Sequence, residues 1–444
     1  MSTSEPTSST AANGQTPVSK AGSGLGRNFV AMVIWQVGNY LVPLATFPYL
    51  TRVLGPAQFG SLAYVNAMAV YGTVLTEWGF NLSGPRAVIE CRDCPEALNE
   101  LIWSTISAKA CLCLLSFAVL LIVLHFDRQA ALATHAVLLS WLVVIGNVIT
   151  LNWLLQGLER FSLFAAISLA GRFITLPLVI VFVKSADDVA VAVAIQGAAP
   201  LLTGLLSLGI VCRLGLLHRP RTSWRRIWLR IKQGADTFVS TASVSLFSAT
   251  NAIILGSLSG SYQVGIYSAA DRLKTVGNMI PAQINTVLYP RVSALVAKCD
   301  PVSGRAAARL TVVGAIATIA TTGAGAALFI GLAGSLTTIV LGGSYRGSAA
   351  VLTLLCIATL FGNLAYFLGL QVLVPFEAGW RRSRVMLAGG VLNVALAFAL
   401  VPTFGAEGAA SAFLIAEAAI LAVYLVVIVR TLPWRSHFTQ LLNR

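Results

Sequence analysis

The chain has 444 residues, of which 57% are hydrophobic and only 10% are charged, and its net charge is +14. Soluble proteins carry roughly 25% charged residues, so this composition excludes an ordinary soluble domain and indicates an integral membrane protein.

Long apolar runs predict transmembrane helices in an all-α protein. About 20 apolar residues are needed to span roughly 30 Å of hydrocarbon, whereas a β-barrel would show short alternating segments. We predict twelve helices, in two sets of six, at residues 28–50, 57–79, 100–124, 133–156, 161–183, 188–212, 234–258, 264–290, 307–330, 348–374, 384–402 and 406–429.

The segments outside these helices divide the chain. Residues 1–27 are rich in Ser, Thr, Gly and Ala, which is typical of a disordered tail rather than a signal peptide. We therefore expect a cytoplasmic tail, two six-helix bundles joined by a basic linker, and a second cytoplasmic tail, at residues 1–27, 28–212, 213–233, 234–430 and 431–444.

The cations predict the orientation. Of the 30 lysines and arginines, 22 fall in the tails or in loops on the same side as the tails. Such residues mark cytoplasmic loops, so both termini are predicted to be cytoplasmic. This topology accounts for the positive charge without nucleic-acid binding. Lys109 and Arg172 lie within spans, close enough to helix ends that we expect them to snorkel.

Cysteine usage indicates no metal or cofactor. The seven cysteines are scattered, and the CRDC motif at Cys91 to Cys94 has no second pair. We interpret these thiols as reduced residues without a metal or redox role.

The two sets of helices contain a repeat. The stretch RVLGPAQFG, from Arg52 to Gly60, resembles LSGSYQVG, from Leu258 to Gly265, and each predicts a periplasmic turn. One offset of 205 residues relates Gly55 to Gly260, Gln58 to Gln263, Gly60 to Gly265, and Pro85-Arg86 to Pro290-Arg291. Because six is even, the duplicated bundles should be related by a pseudo-twofold axis along the membrane normal, with a cavity between them.

The linker between the bundles is basic and amphipathic. The sequence RLGLLHRPRTSWRRIWLRIK contains no acid, and Trp224, Ile227, Trp228 and Ile231 recur at helical spacing. This pattern predicts a helix lying on the cytoplasmic leaflet among anionic headgroups.

Polar residues within the predicted spans are candidates for a cavity lining, because charges that face lipid cost several kcal/mol. In the eighth helix, Asp271, Lys274, Asn278 and Asn285 recur near helical spacing as a polar stripe, which fits either an Asp271–Lys274 structural ion pair or a cavity wall. The cavity wall is favoured because Arg272 then has no local acid left to neutralise it. Other candidates for cavity residues lie on the first, second and seventh helices, namely Gln36, Asn39, Tyr40, Asn66 and Asn251.

Three acids are candidates for ion coupling: Glu77, Asp236 and Glu417. Glu417 lies in the middle of the twelfth span, where a protonated core residue and a proton-coupling site are both open interpretations.

The chain resembles a known transporter branch. The similar segments are NYLVPLATFPYLTRVLGPAQFG, WGFNLSGPRAVIE, VGIYSAADRLK, LYPRVSAL and FGAEGAASAFLIAE, which together extend over both predicted bundles. They resemble the polysaccharide-exporter branch of the multidrug/oligosaccharidyl-lipid/polysaccharide exporter superfamily, and especially bacterial O-antigen and exopolysaccharide repeat-unit flippases.

The resemblance implies a transporter rather than an enzyme. Its substrate would be an undecaprenyl-diphosphate-linked oligosaccharide, moved across the bacterial inner membrane by alternating access, with membrane lipids, a polysaccharide polymerase and chain-length proteins as partners. A diphosphate suits cations and sugar hydroxyls suit amides and aromatic faces. The candidate cations are Arg272 and Lys274, with Arg52 near the periplasmic mouth and Arg86 and Arg291 near the cytoplasmic mouth.

Three rival functions can be compared with this expectation. A cation-coupled drug or metabolite exporter of the same fold would favour acids in its cavity, whereas this candidate set has more cations than acids. A lipid II flippase typically has two further helices. A membrane enzyme of polysaccharide assembly would be expected to have a large periplasmic loop with catalytic groups.

Overall fold

The computed structural model describes residues 21–431 apart from 221, 299 and 376–378. Side chains are described for the same residues except 21–29, 31, 128, 236, 239–248 and 431. The described part is built from helices and contains no strand.

The α-helices are α1 (Ala21–Glu77), α2 (Phe80–Cys91), α3 (Pro95–Phe126), α4 (Arg128–Leu132), α5 (Thr134–Ile149), α6 (Asn152–Gly157), α7 (Phe161–Phe182), α8 (Val189–Arg213), α9 (Trp224–Gly277), α10 (Met279–Val296), α11 (Pro301–Gly331), α12 (Ala333–Leu336), α13 (Ser348–Leu368) and α14 (Gly379–Thr431).

The two repeated glycines interrupt α1 and α9 with nearly the same backbone geometry. Gly55 has φ 69° and ψ 172°, and Gly260 has φ 81° and ψ 171°. Glycine adopts positive φ without the steric cost that other residues meet. Across the second turn, the Asn251 side-chain amide donates a hydrogen bond of 3.1 Å to the Tyr267 hydroxyl, so the two arms of α9 are antiparallel. The turns predicted at both glycines are confirmed, and their periplasmic location stays a prediction.

A third glycine reverses α14. Gly405 has φ 54°, and the arms on either side of it pack together along their length. The Tyr424 hydroxyl donates to the Arg382 carbonyl oxygen at 3.2 Å, and Gly389 lies against Ile420. This long helix therefore contains the two antiparallel spans predicted at residues 384–402 and 406–429.

The all-α, multi-pass membrane architecture is confirmed. Within the described residues, seven helical segments are long and apolar enough to cross a membrane, and the segment Gly379–Arg430 among them reverses at Gly405. The count of twelve spans stays a prediction.

The helices form two groups on either side of residues 214–223. In the N-side group, α1 packs on α5 and α7, and α8 packs on the same two helices. In the C-side group, α13 packs on α9, α11 and α14. The groups meet mainly through α1 and α9. We call the end that carries Gly55, Gly260 and Gly405 the hairpin end, and the end that carries residues 214–223 the linker end.

Helix boundaries at the linker end differ from the predictions. The first helix already includes Ala21, the first described residue, so it extends before the predicted start at residue 28, and α9 begins at Trp224, inside the predicted linker. Residues 1–20 and 432–444 of the predicted tails lie outside the described part of the chain.

The start of α9 packs against the N-side group. Ile227 is buried in a cluster with Phe80, Ala108 and Leu112, and Ile231 packs against the same cluster. Trp224 and Trp228 are exposed instead. The predicted apolar face is thus divided, because the isoleucines contact protein while the tryptophans face outward.

Candidate functional site

A polar cavity of about 450 Å³ lies within the N-side group, and we call it the N-side cavity. Its walls come from α1, α5, the start of α6, α7 and α8, with one residue from α9. Its polar lining consists of Trp35, Asn39, Thr46, Thr73, Asn147, Thr150, Asn152, Ser168, Arg172, Thr175, Gln196, Thr203 and Arg272. Arg172 and Arg272 are its two charged lining residues, and no acid lines it among the described residues.

A break between α5 and α6 brings several of these groups to the cavity. The helix stops at Ile149 and resumes at Asn152, and the Ser207 hydroxyl accepts the free Leu151 backbone N–H at 3.1 Å. The Asn152 amide donates to the Ser168 hydroxyl at 3.2 Å. The break therefore places polar side chains between the ends of two short helices.

Lys109 positions part of the cavity wall. Its side chain is only 1% exposed, and its ammonium donates to the Asn147 carbonyl oxygen at 3.1 Å and to the Asn147 Oδ1 at 3.4 Å. The expectation that Lys109 snorkels to a helix end is wrong, because its charge is buried beside a cavity residue. Arg172 also lines the N-side cavity, although its side chain remains exposed.

A second, smaller cavity of about 210 Å³ lies within the C-side group, and we call it the C-side cavity. Its polar lining comprises Lys274, Asn278, Thr359, Asn363, Tyr366, Arg382, Glu417 and Tyr424. The Lys274 ammonium lies 2.5 Å from Asp271 Oδ1 and 4.7 Å from the Phe413 ring centroid. Asn363 donates to Asn278 Oδ1 at 3.0 Å.

One helix thus serves both cavities. Arg272 lines the N-side cavity, whereas Lys274 and Asn278 line the C-side cavity. Both interpretations of the polar stripe apply to Lys274, because it forms the ion pair with Asp271 and also lines a cavity.

The hairpin end is closed by contacts between the two groups. A Cβ at Gly60 would overlap the Ser261 carbonyl oxygen, and one at Gly265 would overlap the Pro56 carbonyl oxygen, so the repeated motifs touch each other through their backbones. The Arg52 guanidinium donates to the Ile339 carbonyl oxygen on the other group.

Aromatic residues support this closure. The Phe59 ring centroid lies 6.4 Å from that of Tyr345, and the Arg272 guanidinium lies 5.8 Å from the ring centroids of both Phe47 and Phe59. Arg272 therefore connects the closed end to the N-side cavity.

Asp127, in the loop after α3, joins both groups at the hairpin end. Its Oδ1 caps α4 by accepting the Gln129 and Ala130 backbone N–H groups at 2.8 and 3.2 Å. Its Oδ2 accepts the Tyr64 hydroxyl at 2.9 Å and the Ser257 hydroxyl. Burial alone would raise the pKa of Asp127, but the Ser257 hydrogen bond and the other donors together hold that pKa below its ordinary value.

At the linker end the groups meet on one side. The Trp78 indole stacks on Phe238 with ring centroids 4.0 Å apart and donates to the Ile231 carbonyl oxygen at 2.7 Å. Among the described residues, the first arm of α1 and α10 share no extensive contact. Both helices carry exposed apolar side chains, including Ile34, Val37, Ile280 and Val287.

The remaining predicted cavity residues have varied environments. Asn39 lines the N-side cavity, and Asn66 donates to Gln196 beside it at 3.0 Å. Asn251 is fully buried between Tyr267 and Asn393, so its hydrogen bonds hold the core together. Gln36 is half-buried and Tyr40 is exposed, and neither lines the two cavities described here.

The predicted cations and acids outside the stripe are separated from one another. Arg86 lines a third cavity of about 610 Å³ at the linker end with Glu90 and Arg230, and Arg291 is exposed. Glu77 accepts the Asn81 amide at 2.5 Å. Glu417 lines the C-side cavity, and the Asp236 side chain lies outside the described residues.

Several lining residues were missed as sequence candidates. Arg172 has no acid before or after it within its span, which is the signal for a cavity residue, and Asn152 begins a helix after a break that apolar periodicity does not reveal. Arg382 lies in a predicted loop, yet its side chain lines the C-side cavity and lies 5.6 Å from the Tyr366 ring centroid.

Comparison with known proteins gives consistent matches. The family model described as "Polysaccharide biosynthesis protein" matches residues 25–296. The chain is 29% identical over 408 residues to a protein of Escherichia coli (strain K12) named "Putative O-antigen transporter", covering 90% of this chain and 96% of that protein. A Shigella dysenteriae protein of the same name is 24% identical and covers 89% of this chain and 98% of its own length.

Two solved structures share the fold. The lipid II flippase MurJ in an inward closed conformation superposes with a TM-score of 0.69 at 12% identity, covering 93% of this chain and 89% of that one. An inward-facing multidrug resistance MATE family transporter of the MOP superfamily gives a TM-score of 0.65 at 15% identity, covering 89% and 96%. At these identities the likeness concerns the fold alone.

Proposed function

The chain belongs to the polysaccharide biosynthesis protein family, and we propose that it is a flippase for undecaprenyl-diphosphate-linked oligosaccharide repeat units. It moves these units from the cytoplasmic to the periplasmic leaflet of the bacterial inner membrane, for O-antigen or exopolysaccharide synthesis. Both termini and the linker end are cytoplasmic in this proposal, and the hairpin end is periplasmic.

The charge of the two cavities carries the proposal. Arg172, Arg272, Lys274 and Arg382 line them, against the single acid Glu417 among the described lining residues. A cation that is removed from water requires an anionic partner, and a diphosphate provides several acceptor oxygens. Arg272 and Lys274 bind the diphosphate during transfer, while Arg86 and Arg291 act at entry and Arg52 at exit.

The contacts between the two groups support alternating access. The hairpin end is closed through the repeated glycines, and the linker end is joined on one side only. A lipid-linked substrate needs a lateral slot, because its tail stays in the bilayer while its polar head enters the protein. In this proposal, the exposed apolar faces of the first arm of α1 and of α10, which share no extensive contact among the described residues, border such a slot on the cytoplasmic side.

Glu417 is the proposed coupling residue. Its carboxyl lines the C-side cavity with Lys274, so a proton or sodium ion bound there would change the charge that Lys274 experiences. Glu77 and Asp236 are secondary candidates, placed in the helices that join the two groups.

Deletion of the gene in its host tests the function. We expect lipid-linked repeat units to accumulate on the cytoplasmic leaflet while their synthesis continues, as measured by protection from an impermeant periplasmic glycosidase. Re-expression of the wild-type chain should restore surface polysaccharide. Normal surface polysaccharide in a deletion strain that lacks a redundant exporter would contradict the proposal.

A cation-coupled drug or metabolite exporter is the alternative outcome. It predicts that deletion sensitises cells to cationic dyes and leaves the glycolipid distribution unchanged. The proposed flippase function predicts instead that deletion changes the glycolipid distribution and leaves sensitivity to cationic dyes unchanged.

A further inference from the structure

We propose that the N-side cavity is a subsite for one pyranose unit that carries a negative charge. This inference rests on the proposed flippase function, and it assigns the cavity to a sugar rather than to the diphosphate alone. The negative charge has two possible sources with the same chemistry: the phosphate on the anomeric carbon of the first sugar, or a carboxylate on a sugar acid.

The cavity has the composition that a sugar requires. Its volume of about 450 Å³ falls in the range of small-molecule pockets. Most of its polar lining is neutral amides and hydroxyls, groups that both donate to and accept from sugar hydroxyls. Trp35 adds a broad apolar ring with one N–H donor, which suits the apolar face of a pyranose.

Three lining residues have unused hydrogen-bonding capacity. Asn39 Oδ1, Thr73 Oγ1 and Asn152 Oδ1 are buried and have no hydrogen-bond partner among the described residues. Buried polar atoms without partners are uncommon and costly in folded proteins. Small side-chain rotations towards the cavity would let a bound hydroxyl group satisfy them.

The two arginines specify the charge. Arg172 and Arg272 line the cavity, and the described residues include no salt bridge to either. Asp271, the nearest acid in sequence to Arg272, contacts Lys274 instead. A neutral sugar would leave both guanidinium groups without an anionic partner, whereas a sugar with one anionic group would satisfy them.

The cavity is completed only when the hairpin end is closed. Arg272 comes from the C-side group, yet it lines the N-side cavity and lies beside Phe47 and Phe59 of the closed end. Opening the hairpin end would separate Arg272 from Arg172. The subsite would therefore bind its sugar in the inward-facing state and release it after the groups rearrange.

Isothermal titration calorimetry of the full chain in nanodiscs tests the subsite with four soluble probes. The probes are α-D-glucose 1-phosphate, D-glucuronate, D-glucose and inorganic phosphate. We expect at least one of the two anionic sugars to bind roughly tenfold more tightly than both glucose and phosphate. Tighter binding of glucose 1-phosphate assigns the first sugar, and tighter binding of glucuronate assigns a sugar acid. Phosphate binding as tight as either sugar anion, or no sugar binding, would overturn the proposal.

Two substitutions place the binding in this cavity. Arg172→Gln should weaken the anionic sugars by roughly 10- to 100-fold and leave glucose unchanged, while Arg384→Gln, at an exposed site over Trp380, should change neither. Thr73→Val removes an unpartnered buried hydroxyl, so it should weaken sugar binding about 3- to 10-fold without lowering the melting temperature.

The control for the threonine change is Thr286→Val, because the Thr286 side chain is exposed and its hydroxyl donates to the Ala282 carbonyl oxygen of its own helix. The cavity would be rejected as the sugar site if Thr73→Val and Thr286→Val bound sugars with equal affinity and Arg172→Gln bound the anionic sugars as tightly as the wild-type chain. If such variants also flip lipid-linked oligosaccharide normally, the subsite fails while the flippase function stands. If the wild-type chain flips no glycolipid, the flippase function fails whatever the calorimetry shows.

Discussion

The N-side and C-side cavities occupy related halves of the molecule but differ in chemistry. The N-side cavity has about twice the volume, two arginines, no lining acid among the described residues, and many neutral polar groups. The C-side cavity combines Lys274, Arg382 and Glu417 with two tyrosines. The turns at Gly55 and Gly260 share their backbone geometry, whereas the linings of the two cavities differ. In the proposed function, the N-side half recognises the glycan and the C-side half responds to an ion.

Arg272 provides the largest expected effect, because it connects the N-side cavity to the closed hairpin end. Arg272→Ala should reduce glycolipid flipping by roughly 100-fold or more, since it removes a charge-assisted contact and the contacts with Phe47 and Phe59. The measurement is surface polysaccharide in the deletion strain at matched protein levels. Arg384→Ala is the matched control and should restore normal export. Normal export by Arg272→Ala would remove this residue from the mechanism.

Gly60 tests whether the closed hairpin end is needed for transport. Gly60→Leu would place a side chain against the Ser261 backbone, so the motifs could not approach and flipping should fall by more than about tenfold. A thiol placed near Tyr262 should become more accessible to an impermeant periplasmic reagent. Gly323→Leu is the control, because a Cβ there has no neighbour within 4 Å. Unchanged labelling of Gly60→Leu would contradict the described closure.

Glu417 tests the assignment of ion coupling to the C-side cavity. Glu417→Gln keeps the shape of the side chain but removes its ability to ionise, so transport should lose its response to an imposed proton or sodium gradient. Downhill exchange should change by less than about tenfold. The measurement compares proteoliposomes with and without each gradient. A variant that still responds fully to the gradient would exclude Glu417 from coupling.

Asp127 should give the smallest effect. Asp127→Asn removes the charge that accepts Tyr64 and Ser257, which should weaken the closed hairpin end by about 1–3 kcal/mol and change flipping a few-fold. Because closure lowers the pKa of Asp127, its contribution is fully present above the ordinary carboxyl pKa and is lost as the pH falls through the lowered value.

Measuring thiol accessibility as a function of pH distinguishes the titration of Asp127 from that of other groups. Thiol accessibility at the hairpin end should rise in the wild-type chain on acidification through that range, and Asp127→Asn should show the raised accessibility already at neutral pH. Parallel acid responses in both proteins would assign the effect to another group.

The local features of the fold could be predicted from the sequence. Apolar runs and Gly-Pro signals act over a few residues, so the spans and the turns at Gly55 and Gly260 were predictable. The separation of Arg272 from Lys274 could also have been predicted, because residues two positions apart on an α-helix point about 200° apart. In this structure Arg272 and Lys274 accordingly line different cavities.

The composition of the cavities could not be predicted in the same way. Arg172 lines the N-side cavity because α7 packs between α1 and α8, and Lys109 is buried because Asn147 lies opposite it on another helix. Such placements depend on which faces of distant helices meet. Hydrophobic periodicity in one span contains no information about that pairing.

Flipping in proteoliposomes tests the central claim most directly. The purified chain is reconstituted with a fluorescent undecaprenyl-diphosphate-linked oligosaccharide, and the fraction accessible to an impermeant quencher is followed over time, beside Arg272→Ala and a cationic dye as a second substrate. The proposed function predicts glycolipid flipping by the wild-type chain, little by Arg272→Ala, and no dye transport. Dye transport without glycolipid flipping would contradict it and identify the chain as a cation exporter of the same fold.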